Sequence, residues 1–243
     1  MASSGEKIWI IGGSSGIGTA LAEAYAREGA IIIVSGRNLD AAEKVSTALG
    51  AVHKAVKADV TDVESLNAAA ASHGPFDRVI VTAAIYDPGP VLDADQEKAE
   101  KIIMANLIGT FNVARVAAKH LRQGGQLALF GSAAAIFGLP NGQVYSASKA
   151  GIVNLAQSLR AELWPRIDVR LVTPGFVRTR LTDQNTFDMP ALLEPDDAAK
   201  RILKGLAGKS FEVSFPKRLI WPLKLLARLP YPLAFALTAR LKQ

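Results

Sequence analysis

The chain has 243 residues, of which 49% are apolar and 21% are charged, with no cysteine and a formal net charge of +6. A chain of this size and composition buries a large core, which excludes disorder as its default state, and the lack of cysteine excludes disulfides and thiolate chemistry. The excess charge lies wholly in residues 217–243, which hold six bases and no acid, so the charge-balanced body is not predicted to bind nucleic acid.

The N-terminal sequence MASSGEKIWIIGG lacks the basic segment and the long apolar run of a secretory signal, so we expect a cytoplasmic protein. Short β-branched runs then alternate with alanine-rich stretches along the chain. Strands are predicted at residues 7–11, 30–35, 51–57, 77–83, 125–132, 167–173 and 210–215, and helices at 16–28, 39–49, 62–72, 94–122, 144–163 and 196–207.

This alternation of apolar strands and helices is typical of parallel βαβ units whose sheet is covered on both faces. The sequence therefore predicts the α/β class and a doubly wound parallel sheet of the Rossmann type, formed by a single domain over residues 1–216. Residues 217–243 would follow that domain as a basic, amphipathic helical tail.

A glycine-rich turn, GGSSGIG, lies between the first predicted strand and the first predicted helix. Glycine at positions 12, 16 and 18 allows positive φ and lets the backbone approach a ligand, and the N-terminus of the following helix offers free N–H groups to a phosphate. The same residues could form a tight turn that binds nothing. Their place in the first βαβ unit favours dinucleotide binding.

The spacing Gly-x-x-x-Gly-x-Gly in this turn, together with Tyr145 and Lys149 in QVYSASKAG, resembles the short-chain dehydrogenases/reductases over about residues 7–215. The resemblance implies a set of cofactor contacts in the turn, after the third and fourth strands, and in the Pro-Gly-x-x-x-Thr segment beside the nicotinamide. These residues are Gly12, Ser14, Ser15, Gly16, Ile17, Gly18, Asp59, Val60, Ala83, Ala84, Pro174, Gly175, Val177 and Thr179, joined by Tyr145 and Lys149 themselves. Asp59 could equally be the cap of the next helix.

The end of the second strand, SGRN, is where the adenosine ribose of the cofactor should lie. An acidic residue at this point would bind the ribose hydroxyls of NAD, but this chain has Gly36 followed by Arg37. Because a guanidinium suits a 2′-phosphate, we predict NADP(H) in preference to NAD(H). The alternative is that Arg37 is a solvated side chain of the next helix.

Tyr145 and Lys149 are four residues apart, so in a helix their side chains share one face. Hydride transfer between a carbinol carbon and a nicotinamide needs a proton donor or acceptor at the oxygen. A free tyrosine titrates near ~10, and a lysine ammonium close by favours the phenolate, so Lys149 is predicted to lower the pKa of Tyr145. No metal is expected.

The resemblance assigns further roles. Tyr145 would be the general acid/base, Lys149 would also bind the nicotinamide ribose, and Ser132 would hold the substrate oxygen. Asn106, which the sequence places at the opening of a helix, would position a water in a proton relay with the lysine. Taken one at a time, these residues could be a strand-end hydroxyl, a helix cap, a core aromatic and a solvated charge. Together and in this order they favour catalysis.

One segment departs from the family pattern. After the fourth strand the family usually has Asn-Asn-Ala-Gly, whereas this chain has Thr82, Ala83, Ala84 and Ile85. The usual glycine lets the backbone pass close to the cofactor, and the usual asparagine ties neighbouring strands together. We therefore expect an altered geometry near the nicotinamide ribose, with the proton-transfer residues unaffected.

Residues 176–195 are rich in polar and turn-forming residues, and they could form either a mobile substrate lid or an ordinary surface loop. The predicted substrate pocket combines this segment, with Phe176, Phe187 and Met189, with residues 86–91 and 133–140. Most of these side chains are apolar. The sequence therefore favours a small apolar carbonyl compound or alcohol as substrate.

The tail contains Pro222, Pro230 and Pro232, which are predicted to break it into pieces too short to span a bilayer of ~30 Å. Two possibilities remain: helices packed over the substrate cleft or a partner subunit, and amphipathic helices lying peripherally on an anionic membrane. The family resemblance implies a homodimer or homotetramer that pairs through the helices at 106–122 and 144–163.

These observations predict an NADP(H)-dependent oxidoreductase that acts on the CH–OH group of an apolar compound through Tyr145. The alternative is a sensor or scaffold protein that binds NADP(H) without turnover. Proteins of that second kind commonly lose the tyrosine or the lysine, and this chain keeps both.

Overall fold

Seven parallel strands form one sheet in a computed structural model that describes residues 5–239. The strands are β1 Lys7–Ile11, β2 Ile31–Gly36, β3 Lys54–Lys57, β4 Phe76–Val81, β5 Leu121–Phe130, β6 Ile167–Pro174 and β7 Glu212–Phe215. Their order across the sheet is β3-β2-β1-β4-β5-β6-β7. The winding reverses between β1 and β4, where a crevice for ligands opens at the carboxyl ends of the strands. The predicted doubly wound parallel sheet is confirmed.

Helices cover both faces of this sheet. They are α1 Gly16–Arg27, α2 Leu39–Leu49, α3 Val63–His73, α4 Gln96–Ile102, α5 Gly109–His120, α6 Gln143–Leu163, α7 Pro195–Leu206, α8 Lys217–Leu226 and α9 Tyr231–Thr238. A π-helical segment, Ile103–Ile108, joins α4 and α5 into one continuous helical run. Helices α3, α5 and α6 contribute to the hydrophobic core on one face, and α1, α2 and α7 contribute to the core on the other.

Strand β1 shows why the sequence folds in this way. Its side chains alternate between the two faces, so that Trp9 and Ile11 belong to one core while Ile8 and Ile10 belong to the other. All four are almost completely buried. A strand buried on both faces must be apolar throughout, which is the run of large apolar residues that the sequence shows.

Several element boundaries differ from the prediction by a few residues. Strand β3 begins at Lys54 because Gly50 caps α2 and residues 51–52 form a turn. Strand β4 ends at Val81, since the amides of Thr82 and Ala83 both bond to the Ile11 carbonyl, at 2.9 and 3.1 Å, as the chain leaves the sheet. These shifts leave the order and the direction of the elements unchanged.

The tail forms α8 and α9, and the prediction that three prolines break it is only partly correct. Pro222 lies inside α8 and is exposed, so the carbonyl of Arg218 that it leaves unbonded can be hydrated. Pro232 stands in the first turn of α9, a position that proline tolerates. The helices are instead separated at residues 227–230. In residues 5–239 no helix has the length and apolar character needed to cross a membrane.

Both tail helices pack against the domain. Ile220 of α8 and Ala234 of α9 are buried, and the ring of Phe235 lies 6.1 Å from that of Phe137, in the segment that follows β5. The tail is thus part of the folded body. Residues 240–243, which include the predicted tail bases Arg240 and Lys242, lie outside the described residues.

Candidate active site

A cleft of about 770 Å³ opens at the carboxyl ends of β1, β2, β4, β5 and β6. Fifteen of the residues predicted from the sequence to hold a cofactor or to act on a substrate line this one cleft. They are Gly12, Ser14, Ser15, Gly16, Ile17, Gly18, Arg37, Asp59, Val60, Ala83, Ala84, Tyr145, Lys149, Pro174 and Thr179. The structure therefore brings the predicted phosphate-binding turn and the tyrosine–lysine pair to the same cavity.

Two predicted cofactor contacts are not among the residues that line the cleft. Gly175 packs against Pro216 and Leu219, and its amide donates to the carbonyl of Phe215 at 2.7 Å. Val177 is buried and forms an isolated β-bridge with Leu193. These two residues tie the segment after β6 to its neighbours, and the predicted cofactor contact of each stays a prediction.

The glycine turn after β1 is shaped by close backbone contacts. Gly12 and Gly16 have φ of +86° and +53°, a region that favours glycine. A Cβ on Gly12 would lie 2.5 Å from the amide nitrogen of Ala83, and a Cβ on Gly18 would collide with the Gly12 carbonyl. The turn is thus pressed against the end of β4. It presents the N-terminus of α1 to the cleft, where backbone N–H groups favour an anion.

The departure from the family pattern after β4 is compensated by other bonds. The hydroxyl of Thr82 donates to the Ile11 carbonyl at 3.1 Å, so a threonine ties β1 to β4 where the family usually has an asparagine. At Ile85, where the family has glycine, the backbone is held on both sides by Asn106, as described next. The altered segment is therefore firmly fixed at the edge of the cleft.

Asn106 is completely buried in the π-helical segment. Its side-chain oxygen accepts from the Ile85 amide at 2.8 Å, and its side-chain nitrogen donates to the Ile85 carbonyl at 3.0 Å and to the Ser148 hydroxyl at 3.2 Å. Asn106 thus lies within a continuous helix and does not open one, as the sequence suggested. It links the segment after β4 to α6, which carries Tyr145. Insertions of this π type often occur at functional sites.

Replacing Asn106 with alanine is expected to lower the free energy of unfolding by about 2–4 kcal/mol, because the part-buried amide and carbonyl of Ile85 would lose their partner. Urea unfolding measures this change. The control is Asn67→Ala, an exposed asparagine of α3, which should stay within about 0.5 kcal/mol of the parent. A loss below about 1 kcal/mol at Asn106 would contradict the anchoring role assigned by its three bonds.

Ser132 and Tyr145 meet at the end of β5. The Ser132 hydroxyl accepts from the amide of Ala134 at 3.1 Å and lies within hydrogen-bonding reach of the Tyr145 side chain. The ring of Tyr86 packs edge-on against Tyr145, with the centroids 4.6 Å apart. Burial raises the pKa of Tyr145 to about 12, although the bond to Ser132 acts in the opposite direction. The phenol therefore holds its proton at neutral pH.

Lys149 is buried one helical turn beyond Tyr145. Its ammonium donates to the Phe130 carbonyl at 2.9 Å and lies 5.7 Å from the centroid of the Tyr145 ring. Burial lowers the pKa of Lys149 to about 8. Burial disfavours both charged forms and the ammonium is bonded to a carbonyl, so in this structure the pKa of Tyr145 is raised, and its predicted lowering by Lys149 stays a prediction.

The far end of the cleft carries Arg37 and Asp59. Arg37 is exposed between β2 and α2, where the N-cap residue is Asn38. Asp59 accepts from the amide and the hydroxyl of Thr61, at 2.9 and 2.8 Å, whereas the cap of α3 is Asp62. Asp59 is therefore not the helix cap that the sequence left open. A cation and an acceptor lie at the end of the cleft that adjoins the glycine turn.

Comparison with known proteins agrees with this geometry. A family model described as short chain dehydrogenase matches residues 6–189. An uncharacterized oxidoreductase of Myxococcus xanthus is 33% identical over 243 residues, 96% of each chain, and the mouse 3-oxoacyl-[acyl-carrier-protein] reductase is 31% identical over 84% of this chain and 86% of its own. The chain belongs to the short chain dehydrogenase family.

Among solved structures, this dehydrogenase is similar to a short chain dehydrogenase from Burkholderia cenocepacia J2315 in complex with NADP. The two chains share 28% sequence identity with a TM-score of 0.85, over 97% of this chain and 98% of the other. The cleft of this dehydrogenase fits a nicotinamide dinucleotide. The close-packed glycine turn would hold the phosphates at the N-terminus of α1, and the buried Lys149 stands at the opposite end of the same cavity.

The segment at 176–195 borders the cleft of the dehydrogenase. It contributes Thr179, Arg180, Leu181 and Gln184 to the lining, and the Tyr86 hydroxyl donates to Asn185 at 2.8 Å. Within this segment Phe176 and Phe187 pack on each other, with the ring centroids 5.7 Å apart. The hydrogen bond from Tyr86 connects the segment to the residues that follow β4.

Sequence reasoning missed several lining residues and included others that lie elsewhere. Of the pocket segments predicted at 86–91, 133–140 and 176–195, the cleft includes Tyr86 from the first, no residue from the second, and Thr179, Arg180, Leu181 and Gln184 from the third. Lys101 and Met104 also line it but were not predicted. Lys101 and Met104 belong to the long helical run at 96–120, where only the structure shows which residues point into the cleft.

Proposed function

We propose that this dehydrogenase uses NADP(H) to interconvert an apolar carbonyl compound and its alcohol. One observation carries the proposal: Tyr145 and the buried Lys149 line a cleft whose other end is a phosphate-binding turn followed by Arg37, and Ser132 stands beside Tyr145. The names of similar proteins agree, since one is a reductase of a carbonyl group and another binds NADP. The sensor or scaffold hypothesis requires no such proton donor.

Each residue of the cluster has a chemical task in the proposed reaction. The dinucleotide supplies the hydride for reduction or accepts it in oxidation. Tyr145, protonated at neutral pH because its pKa is about 12, gives its proton to the carbonyl oxygen as that oxygen gains charge. Ser132 holds the same oxygen by a second hydrogen bond and so orients the carbonyl.

Two further roles are part of the proposal. Lys149 would bind the nicotinamide ribose, a task supported by its place in the lining of the cleft. Asn106 would place a water of a proton relay, supported by its link through Ser148, whose hydroxyl also donates to the Tyr145 carbonyl at 2.7 Å. The same bonds make Asn106 a positioning residue for α6.

The proposed substrate is apolar because of the side chains at the catalytic end of the cleft. Ile85, Tyr86, Met104 and Leu181 line it there. These apolar side chains favour a hydrocarbon or aromatic group over a sugar, whose hydroxyls would lose hydration against them. The class of substrate is thus an apolar ketone, aldehyde or acyl thioester, or the corresponding alcohol.

The proposed activity is tested by following NADPH oxidation with a panel of apolar ketones, aldehydes and acyl thioesters, and by repeating the panel with NADH. We expect turnover of at least one carbonyl compound, with NADPH preferred. Tight NADPH binding with no turnover of any compound, in either direction, would favour the sensor or scaffold hypothesis instead.

Arg37→Gln is expected to reduce kcat/KM with NADPH by about 10–100-fold and to leave kcat/KM with NADH within about threefold, because a charge-assisted bond to the 2′-phosphate would be lost. The matched control is Arg27→Gln, an exposed arginine at the end of α1 that does not line the cleft. An equal loss with both cofactors, or no loss, would remove Arg37 from the selection of NADP(H).

We also propose that the dehydrogenase pairs with copies of itself through the helices at 106–122 and 144–163. Support comes from the exposed apolar side chains of Ile108, Phe111 and Trp164, which lie on or beside these helices. Burying them against a second copy would remove apolar surface from water.

A further inference from the structure

The two tail helices expose an unusual amount of apolar surface. The side chains concerned are between 50% and 70% exposed, and we call them the tail surface: Trp221, Leu225, Tyr231, Leu233, Phe235 and Leu237. Trp221 and Leu225 lie one turn apart on α8, as do Leu233 and Leu237 on α9. The rings of Tyr231 and Phe235 stack with their centroids 5.5 Å apart. Large exposed apolar patches mark interaction sites on soluble proteins.

The charges among these side chains have one sign. Lys217, Arg218 and Arg228 are exposed, and residues 217–243 contain no aspartate or glutamate. Lys224 differs from these three bases because it forms an ion pair with the domain: its ammonium lies 2.5 Å from the carboxylate of Glu212 in β7. On α8 the apolar side chains Trp221 and Leu225 are therefore bordered by positive charge, which matches a partner that is both apolar and anionic.

The way in which the helices pack determines what this partner can be. Ile220, Ala234 and Thr238 are buried against the domain, so each helix lies with one side on the body and its other side in water. Helices of ten and eight residues are far too short to cross a bilayer. They are suited to lie in the plane of a membrane interface, where tryptophan and tyrosine rings are favoured.

A second copy of the chain is a poorer partner for the same surface. A symmetric dimer formed through it would place the exposed bases of one tail opposite the bases of the other, with no tail acid to neutralise them. Like charges brought together at an interface oppose association. An anionic lipid surface would instead attract the exposed bases of the tail.

We propose that the tail surface binds the interface of an anionic phospholipid bilayer and holds the dehydrogenase peripherally on the membrane. The apolar side chains enter the boundary between the headgroups and the acyl chains, and the exposed bases contact anionic headgroups. Because Phe235 contacts Phe137, only a few residues after Ser132, the bound membrane would lie on the catalytic side of the domain.

The test is co-sedimentation of the full-length protein with phosphatidylcholine vesicles that either contain or lack phosphatidylglycerol. We expect the protein to pellet with the anionic vesicles and to remain largely in solution with the neutral ones. The double variant Arg218→Gln/Arg228→Gln should weaken binding to the anionic vesicles by about 30-fold, since each base near such a surface contributes about fivefold. Trp221→Ser/Leu225→Ser should weaken it at least tenfold.

Matched controls lie at the opposite edge of the sheet, near β3. Val52→Ser removes an apolar side chain that is 63% exposed, and Lys44→Gln/Lys54→Gln removes two exposed bases. Both controls should bind vesicles like the parent protein. Thermal unfolding and NADPH titration of every variant establish that the fold and the cleft are intact, and neither measurement depends on a known substrate.

A second readout uses Trp221 itself. In a Trp164→Phe background the remaining tryptophans are Trp221, which is exposed, and Trp9, which is buried. Anionic vesicles should shift the emission to shorter wavelength as Trp221 leaves water. Equal binding to neutral and anionic vesicles, no binding to either, or binding that the tail substitutions leave unchanged would overturn the proposal. Sedimentation velocity in which those substitutions dissociate an oligomer would assign the surface to a second copy.

Discussion

Replacing Tyr145 with phenylalanine is expected to lower kcat for carbonyl reduction by about 10²–10⁴-fold, the contribution of a well-placed general acid. The substitution removes the hydroxyl that bonds to Ser132 and keeps the ring that packs against Tyr86. Fold and cofactor affinity should therefore persist. Steady-state kinetics with the best substrate of the panel measure the loss, and NADPH titration verifies that binding is retained.

The neighbouring tyrosine provides a matched control. Tyr86→Phe also removes one phenol from the cleft, but that hydroxyl donates to Asn185 of the 176–195 segment. Its loss should change kcat by less than about tenfold and act mainly on KM. The reason is that this substitution removes a bond to a neighbouring segment but leaves the proposed proton donor in place. If Tyr145→Phe retains kcat within tenfold of the parent, Tyr145 is not the acid/base.

The parts of this fold that the sequence predicted depend on periodicity and on a few obligatory glycines. The apolar run in β1 predicts a strand buried on both faces, since no polar residue could be satisfied there. Gly12 and Gly18 are required by backbone contacts that follow from the strand–turn–helix connection itself. Features of this kind are local, and they can be inferred from spacing.

Other features depend on which groups meet in space, and spacing does not specify that. The bonds from Asn106 to Ile85 and Ser148 join three distant parts of the chain, so neither the π-helical segment nor the anchoring role could be read from NLIGTFN. Gly175 and Val177 follow the family motif in sequence, and their spacing does not reveal that Gly175 bonds to β7 and that Val177 bridges to Leu193. The substitution of Thr82 for an asparagine became interpretable only once its bond to Ile11 was known.

The pKa values of the tyrosine–lysine pair were the least predictable property of the site. The separation of four residues correctly implies that Tyr145 and Lys149 are close, but a pKa is set by burial as well as by nearby charge. Here burial raises the pKa of the tyrosine and lowers that of the lysine. Burying the charged ammonium of Lys149 therefore lowers the free energy of unfolding, and this effect can be measured.

Lys149→Met is expected to raise the free energy of unfolding by about 2 kcal/mol at pH 7 while abolishing efficient turnover. The pKa of Lys149 falls from 10.5 to about 8 on folding, so holding the buried charge costs about 3 kcal/mol below pH 8. The methionine removes this cost, but the Phe130 carbonyl then loses its hydrogen-bond donor, which lowers stability by about 1 kcal/mol. Buried methionine fills similar volume without a charge.

The pH dependence of this effect has a definite sign. Between pH 8 and 10.5 the unfolded chain binds a proton at Lys149 that the folded protein has lost, so the stability of the parent rises with pH. The advantage of Lys149→Met should thus shrink by about 1.4 kcal/mol per pH unit above pH 8, to about 1 kcal/mol at pH 9. Urea unfolding at pH 7 and pH 9 measures it. Lys119→Met, at an exposed position of α5, should show neither the gain nor the pH dependence. A variant that is less stable than the parent at pH 7, or equally stabilised at both pH values, would show that the buried charge of Lys149 is not a cost to the fold.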